Sequence, residues 1–213
     1  MKVAVFGDVH GNLIALEQFL KFVSNRVDGY VCTGDIVNYG PWSEECVQLV
    51  KELPNLICVK GNHEDLFENE NQSLYNNLVW EFTITSRQFF SDYAWISSLP
   101  HELDFDCYKV AHTLEDRYIY RDTKIHLDRD TIIGHSHQQF IRFFSSISLL
   151  NPGSVGQNRE FIDISQFLVL DLETRTTEPF TLQYNVDLVI QEMKAKKYSS
   201  RCIEYYSSKR RLR

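Results

Sequence analysis

Short apolar runs punctuate the chain: Val3-Ala4-Val5-Phe6, Tyr30-Val31-Cys32, Leu56-Ile57-Cys58-Val59 and Thr131-Ile132-Ile133. Each leads into a glycine within a residue or so, and a run of this kind reads as a buried strand. The glycine lets the backbone turn sharply just past the strand end. Behind Asn12, a plausible N-cap, Leu13, Leu16, Leu20 and Val23 recur at helical spacing and predict a helix over 13–23. A second helix is predicted from Ser43 to Leu53, stopped by Pro54. Residues 74–97, with Tyr75, Trp80, Phe82, Phe89, Phe90, Tyr93 and Trp95, read as a helical insert, mainly core with a lid over one side of a site, closed by Pro100. Strand-like runs then recur at 108–111, 139–144, 147–150, 166–170 and 179–184, and a helical pattern (Leu188, Ile190, Met193) follows Asp187. Early βαβ units before a strand-rich half predict an α/β fold with two packed sheets and helices outside.

The residues after the glycines turn this pattern into chemistry. They give Asp8-Val9-His10, Gly34-Asp35, Gly61-Asn62-His63-Glu64 and Gly134-His135-Ser136-His137, while His112 ends the run 108–111. Polar groups at the carboxyl ends of neighbouring strands converge on one sheet edge. Of seven histidines, five belong to this set; His101 in a loop and His126 between Lys124 and Asp128 are read as background. Two carboxylates, an amide and several imidazoles form a ligand set for a pair of mid-series divalent metals.

These stretches, with Asn38 three residues after Asp35, resemble the complete signature of the calcineurin-like metallophosphoesterases. The runs Asp8-Val9-His10-Gly11-Asn12, Gly34 to Pro41 and Asn151-Pro152-Gly153-Ser154-Val155-Gly156 are similar to its small prokaryotic phosphodiesterase branch, which includes diadenosine-tetraphosphate hydrolases. The resemblance runs to about residue 185. It departs where Thr113 follows His112 in place of the usual Gly, and where Asn158 stands before Arg159 in place of a frequent Pro. It implies a four-layer αββα sandwich with two mixed β-sheets, over a domain of residues 1–190 with a basic extension at 191–213. It also implies two divalent metal ions, manganese first and iron, nickel or zinc as alternatives. Asp8, His10, Asp35 and His137 would hold one; Asp35, Asn62, His112 and His135 would hold the other, with Asp35 bridging.

Such a pair neutralises phosphate oxygens and lowers the pKa of a shared water, the two requirements for attack on an anionic ester. By the same resemblance His63 protonates the leaving-group oxygen or stabilises its developing charge. The protein-phosphatase branch often has Asp where this chain has Asn38; without that charge a less basic His63 is expected, with a preference for diester or anhydride substrates. The expected activity is a dinuclear metal-dependent phosphoesterase acting on a phosphodiester or phosphoanhydride, with a dinucleoside polyphosphate in view. The alternatives are a phosphoprotein or phosphomonoester phosphatase, disfavoured by Asn38, and a non-catalytic metal-supported binding module, disfavoured by the completeness of the set. Candidate substrate contacts are Asn12, Asn38, Tyr39 and Arg159, with Trp42 beside Tyr39 as a stacking surface. Glu64 and Asp65 are read as supporting or surface residues.

Composition adds limits. An apolar content of 43% is ample for one core, and a net charge of −7 argues against a nucleic-acid-binding surface over the whole molecule. A small phosphorylated substrate, nucleotides included, remains compatible because bound cations invert the local potential. Five cysteines without a C-x-x-C pair fit a reducing cytoplasm. A signal segment is not expected, and no apolar run approaches the ~20 residues of a membrane span. The basic residues from Lys194 to Arg213 are read as a solvated, frayed end with at most weak nucleic-acid affinity.

Overall fold

The computed structural model describes residues 1–69 and 76–212. The start of the expected insert, including Tyr75, and Arg213 lie outside these residues. Strands β1 (Lys2–Phe6), β2 (Gly29–Cys32) and β3 (Leu56–Cys58) run parallel, linked through helices α1 (Leu13–Val23) and α2 (Ser43–Lys51). After α3 (Asn62–Glu68), α4 (Asn77–Ser86) and α5 (Tyr93–Ser98) come β4 (Glu102–Phe105), β5 (Tyr108–Ala111), β6 (Thr131–Ile132), β7 (Gln139–Phe144) and β8 (Ile147–Pro152). Strands β9 (Ile164–Asp171) and β10 (Thr176–Gln183) return to the first sheet, and helices α6 (Val186–Ala195) and α7 (Ser200–Ser207) follow. The sheet orders are β10-β9-β1-β2-β3 and β4-β5-β6-β8-β7, both of mixed direction. Two mixed five-stranded sheets flanked by helices are the fold the resemblance implies.

The alternation along β1 explains the packing. Val3 and Val5 point between the sheets, against Tyr108, Val110, Ile132 and Leu150. Ala4 and Phe6 point outward under the helices, where Phe6 meets Phe19 of α1 at 4.8 Å between ring centroids. A strand buried on both faces needs apolar residues at successive positions, so β1 reads as a continuous run. Helices α1, α2, α6 and α7 cover this outward face. On the second sheet's far side, Phe140 and Leu149 are covered by Leu114, Ile119, Ile125 and Leu127 from the irregular stretch 113–130.

Differences from the sequence reading are local. Helix α2 stops at Lys51, short of Leu53. Helix α3 is unexpected, because its first turn is polar and its Gly61 start resembles a loop; Glu64 Oε2 accepts the Gly61 N–H at 2.8 Å and caps it. Strand β4 is a half-exposed edge strand without a run of apolar residues. Trp42 is half-buried and packs against the core. The division expected near residue 190 falls inside α6, and Cys202 and Tyr206 of α7 are fully buried in the same core.

Candidate metal centre

The strand ends do converge. Asp8 and His10 follow β1, Asp35 follows β2, Asn62 opens α3 beyond β3, His112 follows β5, and His135 and His137 follow β6. Asp8, His10, Asp35, His135 and His137 all have left-handed backbone, with φ between 49° and 67°. That conformation costs a non-glycine residue of order 1–2 kcal/mol, a cost that concentrates at functional sites. Gly34, at φ +91°, is required for a second reason: a Cβ there would lie 2.5 Å from the Gly61 amide nitrogen, so the two ligand loops touch only because it is absent.

Two clusters share Asp35. In one, His10 Nε2 lies 3.2 Å from His137 Nε2, His137 Nε2 lies 3.1 Å from Asp8 Oδ1, and His10 Nε2 lies 3.8 Å from both Asp8 Oδ1 and Asp35 Oδ2. In the other, His112 Nε2 lies 3.2 Å from Asp35 Oδ2, 3.0 Å from Asn62 Oδ1 and 3.1 Å from His135 Nδ1. Backbone carbonyls decide what these atoms are. His10 Nδ1 faces Val37 O at 3.3 Å, His112 Nδ1 faces Thr33 O at 2.7 Å, and His137 Nδ1 faces Gln157 O at 2.6 Å. A carbonyl only accepts, so each Nδ1 donates and leaves Nε2 to face the centre; against burial, the Asp35 charge pushes His112 up to about 10.

With those rings neutral, the centre is lined with acceptors. Asp8 Oδ1 is fully buried and faces His137 Nε2 at 3.1 Å. Imidazole nitrogens and carboxylate oxygens at such separations could share a cation, so the residues fit the divalent metals the donor set implies. Burial opposes ionisation of both acids, yet His137 beside Asp8 and His112 beside Asp35 hold the two carboxyls below their ordinary range. Burial, with neighbouring imidazoles, pushes His10 down well below its usual value and His135 down to about 4.

Asn38 settles the state of His63. The Asn38 Oδ1 accepts the Tyr39 backbone N–H at 2.7 Å, which fixes which end of the amide is which. Its Nδ2 then donates to Thr83 Oγ1 at 2.8 Å and to His63 Nδ1 at 2.9 Å. Thr83 is itself the donor to Val79 O at 2.9 Å. With Nδ1 accepting, neutral His63 carries its proton on Nε2, 4.0 Å from Asp35 Oδ2. Burial pushes the His63 pKa down as well.

Among the expected substrate contacts, Tyr39 and Arg159 line a cleft of about 210 Å³ over Asp35, Asn62, His63, His135 and His137. Asn12 does not. It is fully buried, its Oδ1 accepts the Ala15 N–H and its Nδ2 donates to Gly156 O and Tyr184 Oη, so its side chain is spent on structure. Asn38 is likewise buried and committed to Tyr39, Thr83 and His63, acting through the histidine and not on a ligand. His101 lies 3.8 Å from Asp65, on the surface.

Glu64 is the residue underestimated from sequence. Its carboxylate is fully buried and accepts the N–H groups of Asp35, Ile36, Val37 and Gly61 at 2.7–3.1 Å. Burial and the nearby Asp35 push it up to about 7, while the four amide donors favour its charged form. It splints the Asp35 loop to the start of α3. The signal available was its place three residues after Gly61, as in a capping box.

A family model described as calcineurin-like phosphoesterase matches residues 1–190. The chain is 27% identical over 218 residues to an uncharacterized protein of Methanocaldococcus jannaschii, covering 86% of this chain and 88% of that one. A crystal structure of a metallophosphoesterase from Sphaerobacter thermophilus superposes with a TM-score of 0.79 at 21% identity, covering 97% of this chain and 99% of that one. A hypothetical protein from Pyrococcus horikoshii OT3 does so with a TM-score of 0.80 at 15% identity, covering 96% and 97%.

Proposed function

Because the chain belongs to the calcineurin-like phosphoesterases, metal-dependent hydrolases of phosphoric esters, we propose that its substrate is a phosphodiester or phosphoanhydride whose leaving group departs as an anion, a dinucleoside polyphosphate being one such compound. The observation that carries this reading is the hydrogen bond from Asn38 Nδ2 to His63 Nδ1. A neutral imidazole donating from Nε2 stabilises charge on a departing oxygen, but giving up that proton would leave an imidazolate. Doubly protonated His63 would set its Nδ1–H against the Asn38 amide hydrogens. His63 is thus a hydrogen-bond donor that stabilises charge on the leaving oxygen, the second of the two roles the resemblance implies. Phosphate and activated phenolate leaving groups tolerate this; an alkoxide, as from a phosphoserine, does not.

Asp8, His10, Asp35 and His137 would hold one metal, and Asp35, Asn62, His112 and His135 the other. Bound divalent ions supply neutralisation of the phosphate oxygens and acidification of water. The chain's own part is to aim the ligand nitrogens through Thr33, Val37 and Gln157 carbonyls, to hold the His63 Nε2–H toward the cleft, and to present Arg159 at its rim. Mixed nitrogen and oxygen donors without thiolate favour manganese, with iron, nickel or zinc as the other candidates. The partner is a small phosphorylated molecule. No helix among the described residues is long and apolar enough to cross a membrane.

The test is one panel with added Mn²⁺: p-nitrophenyl phosphate, bis(p-nitrophenyl) phosphate, a dinucleoside polyphosphate and a phosphoserine peptide. The diester and the polyphosphate are expected to turn over fastest. Preference for the phosphopeptide would reject this reading in favour of a phosphoprotein phosphatase.

A further inference from the structure

The basic C-terminal segment is the sequence feature that this activity leaves unused, and it is not frayed. Arg201 pairs with Glu81, Arg211 forks onto Asp187 at 2.8 and 3.0 Å, and the Arg210 guanidinium lies 4.5 Å over the Phe161 ring. The backbone is stitched down by Ile162 N–H to Arg210 O and by Leu212 N–H to Asp163 Oδ1, both at 2.9 Å. Lys209, between α7 and these anchors, has a different surrounding. Its Nζ lies 4.5 Å over the Tyr205 ring, and Tyr205 stacks on Tyr39 with centroids 6.0 Å apart. Tyr39 in turn lies 5.0 Å from the His10 ring and 5.1 Å from the His63 ring.

A second series, ending on Arg159, repeats this sequence of groups. Tyr118 stacks on His135 at 4.2 Å and 19°, and the Arg159 guanidinium lies 4.9 Å over Tyr118. Each series thus runs from a metal-centre imidazole to a cation, through Tyr39 and Tyr205 to Lys209 on one side and through Tyr118 to Arg159 on the other. Tyr118 keeps nearly half its surface open to solvent, at 46% exposure. The two cations sense each other: burial and then the Arg159 charge hold the Lys209 amine below its usual pKa. Among the described residues neither cation forms an ion pair with a carboxylate, although the protein as a whole is acidic. Two like charges kept together on aromatic faces, beside a metal centre, are stabilised by an anion between them.

We propose that Lys209, delivered by the C-terminal helix, and Arg159 form a binding site for a second, non-scissile phosphate of the substrate. This rests on the hydrolase reading above and deepens it. With the scissile phosphate at the metals, a simple diester brings only uncharged flanks to the mouth of the cleft, whereas a phosphoanhydride brings a further anionic phosphate. The substrate class is therefore a compound carrying two or more linked phosphates, such as a nucleoside polyphosphate.

The test is equilibrium dialysis of the full chain at one fixed free Mn²⁺ concentration, with orthophosphate and tripolyphosphate as probes. Wild type is expected to bind tripolyphosphate at least about tenfold tighter, the scale of one charge-assisted contact. Lys209→Gln and, separately, Arg159→Gln should remove most of that preference, and Lys209→Arg should restore it. Thermal melts of each variant identify any loss that is only unfolding. Equal losses for both probes, or an unchanged preference in both variants, would overturn the proposal. Hydrolysis of bis(p-nitrophenyl) phosphate by the same wild-type sample separates the two readings. No turnover with the Lys209-dependent preference intact rejects the hydrolase reading and keeps the second-phosphate site; turnover without the preference does the reverse.

Discussion

Asn38 holds His63 from behind: the 2.9 Å bond from its Nδ2 to the histidine Nδ1 decides which nitrogen carries a proton toward the metals. The Tyr39 N–H on Asn38 Oδ1 makes that choice unambiguous, since a backbone amide can only donate.

Asn38→Asp reverses the bond. A carboxylate would accept from Nδ1–H and stabilise the imidazolium, raising the His63 pKa and letting it act as an acid below that value. Turnover of substrates with alkoxide leaving groups should then rise relative to nitrophenolate ones, by several-fold or more within the usual ~10²–10⁴ range of general acid catalysis. The basic limb of the pH–rate profile should move to higher pH. Profiles for the two leaving groups measure both effects, and an unchanged ratio would mean the amide does not set the protonation of His63.

His63→Ala should leave metal content intact and lower turnover about 10²–10³-fold, the scale for losing one donor to a developing oxyanion. The losses for nitrophenolate and phosphate leaving groups should be similar. Metal analysis and kinetics on the same preparations check this, and loss of bound metal would recast His63 as structural.

Asp35 reaches both clusters, with Oδ2 3.8 Å from His10 Nε2 and 3.2 Å from His112 Nε2. Asp35→Asn should therefore weaken both metals together, whereas Asn62→Ala should loosen mainly the one on the His112 side. Metal counts per chain, titrated with Mn²⁺, should show this asymmetry; equal depletion by both substitutions would contradict it.

Glu64→Gln keeps the shape and removes the charge that four backbone amides share. Destabilisation of about 1–3 kcal/mol is expected, with more for a charged acceptor, together with a 10–100-fold loss of metal affinity typical of supporting residues. Urea unfolding and Mn²⁺ titration measure the two effects separately. Stability without any change in metal affinity would confine Glu64 to capping α3.

Removing metal should cost stability, because Asp8 and Asp35 are almost fully buried among lone pairs. One site at a hundredfold excess over its Kd contributes about 2.7 kcal/mol. A melting temperature that rises with free Mn²⁺ and no longer does so in Asp35→Asn is the expected signature.

Strand identity and most of the candidate centre were legible because both are local. Val3 to Phe6 announces a strand by its composition, and Asp8 and His10 lie within four residues of it, so chain connectivity alone puts them at the strand's end. The same holds for Asp35 after Cys32 and for His135 and His137 after Ile133. What a neighbour contributes was hidden. Helix α3 and the role of Glu64 depend on amides at Asp35, Ile36 and Val37, some 27 to 29 residues away. Asn12, exposed to no ligand, was indistinguishable in sequence from a substrate contact because its partners Gly156 and Tyr184 arrive from β-strand connections far along the chain. By itself the sequence determined the strands, the donor types and their order, since those follow from residue chemistry and short spacing. Only the tertiary structure decided which nitrogen of each histidine faces inward, and that Lys209 comes near enough to Arg159 to feel its charge. Those outcomes depend on which backbone carbonyls and ring faces the packed layers bring together, and no local pattern encodes that.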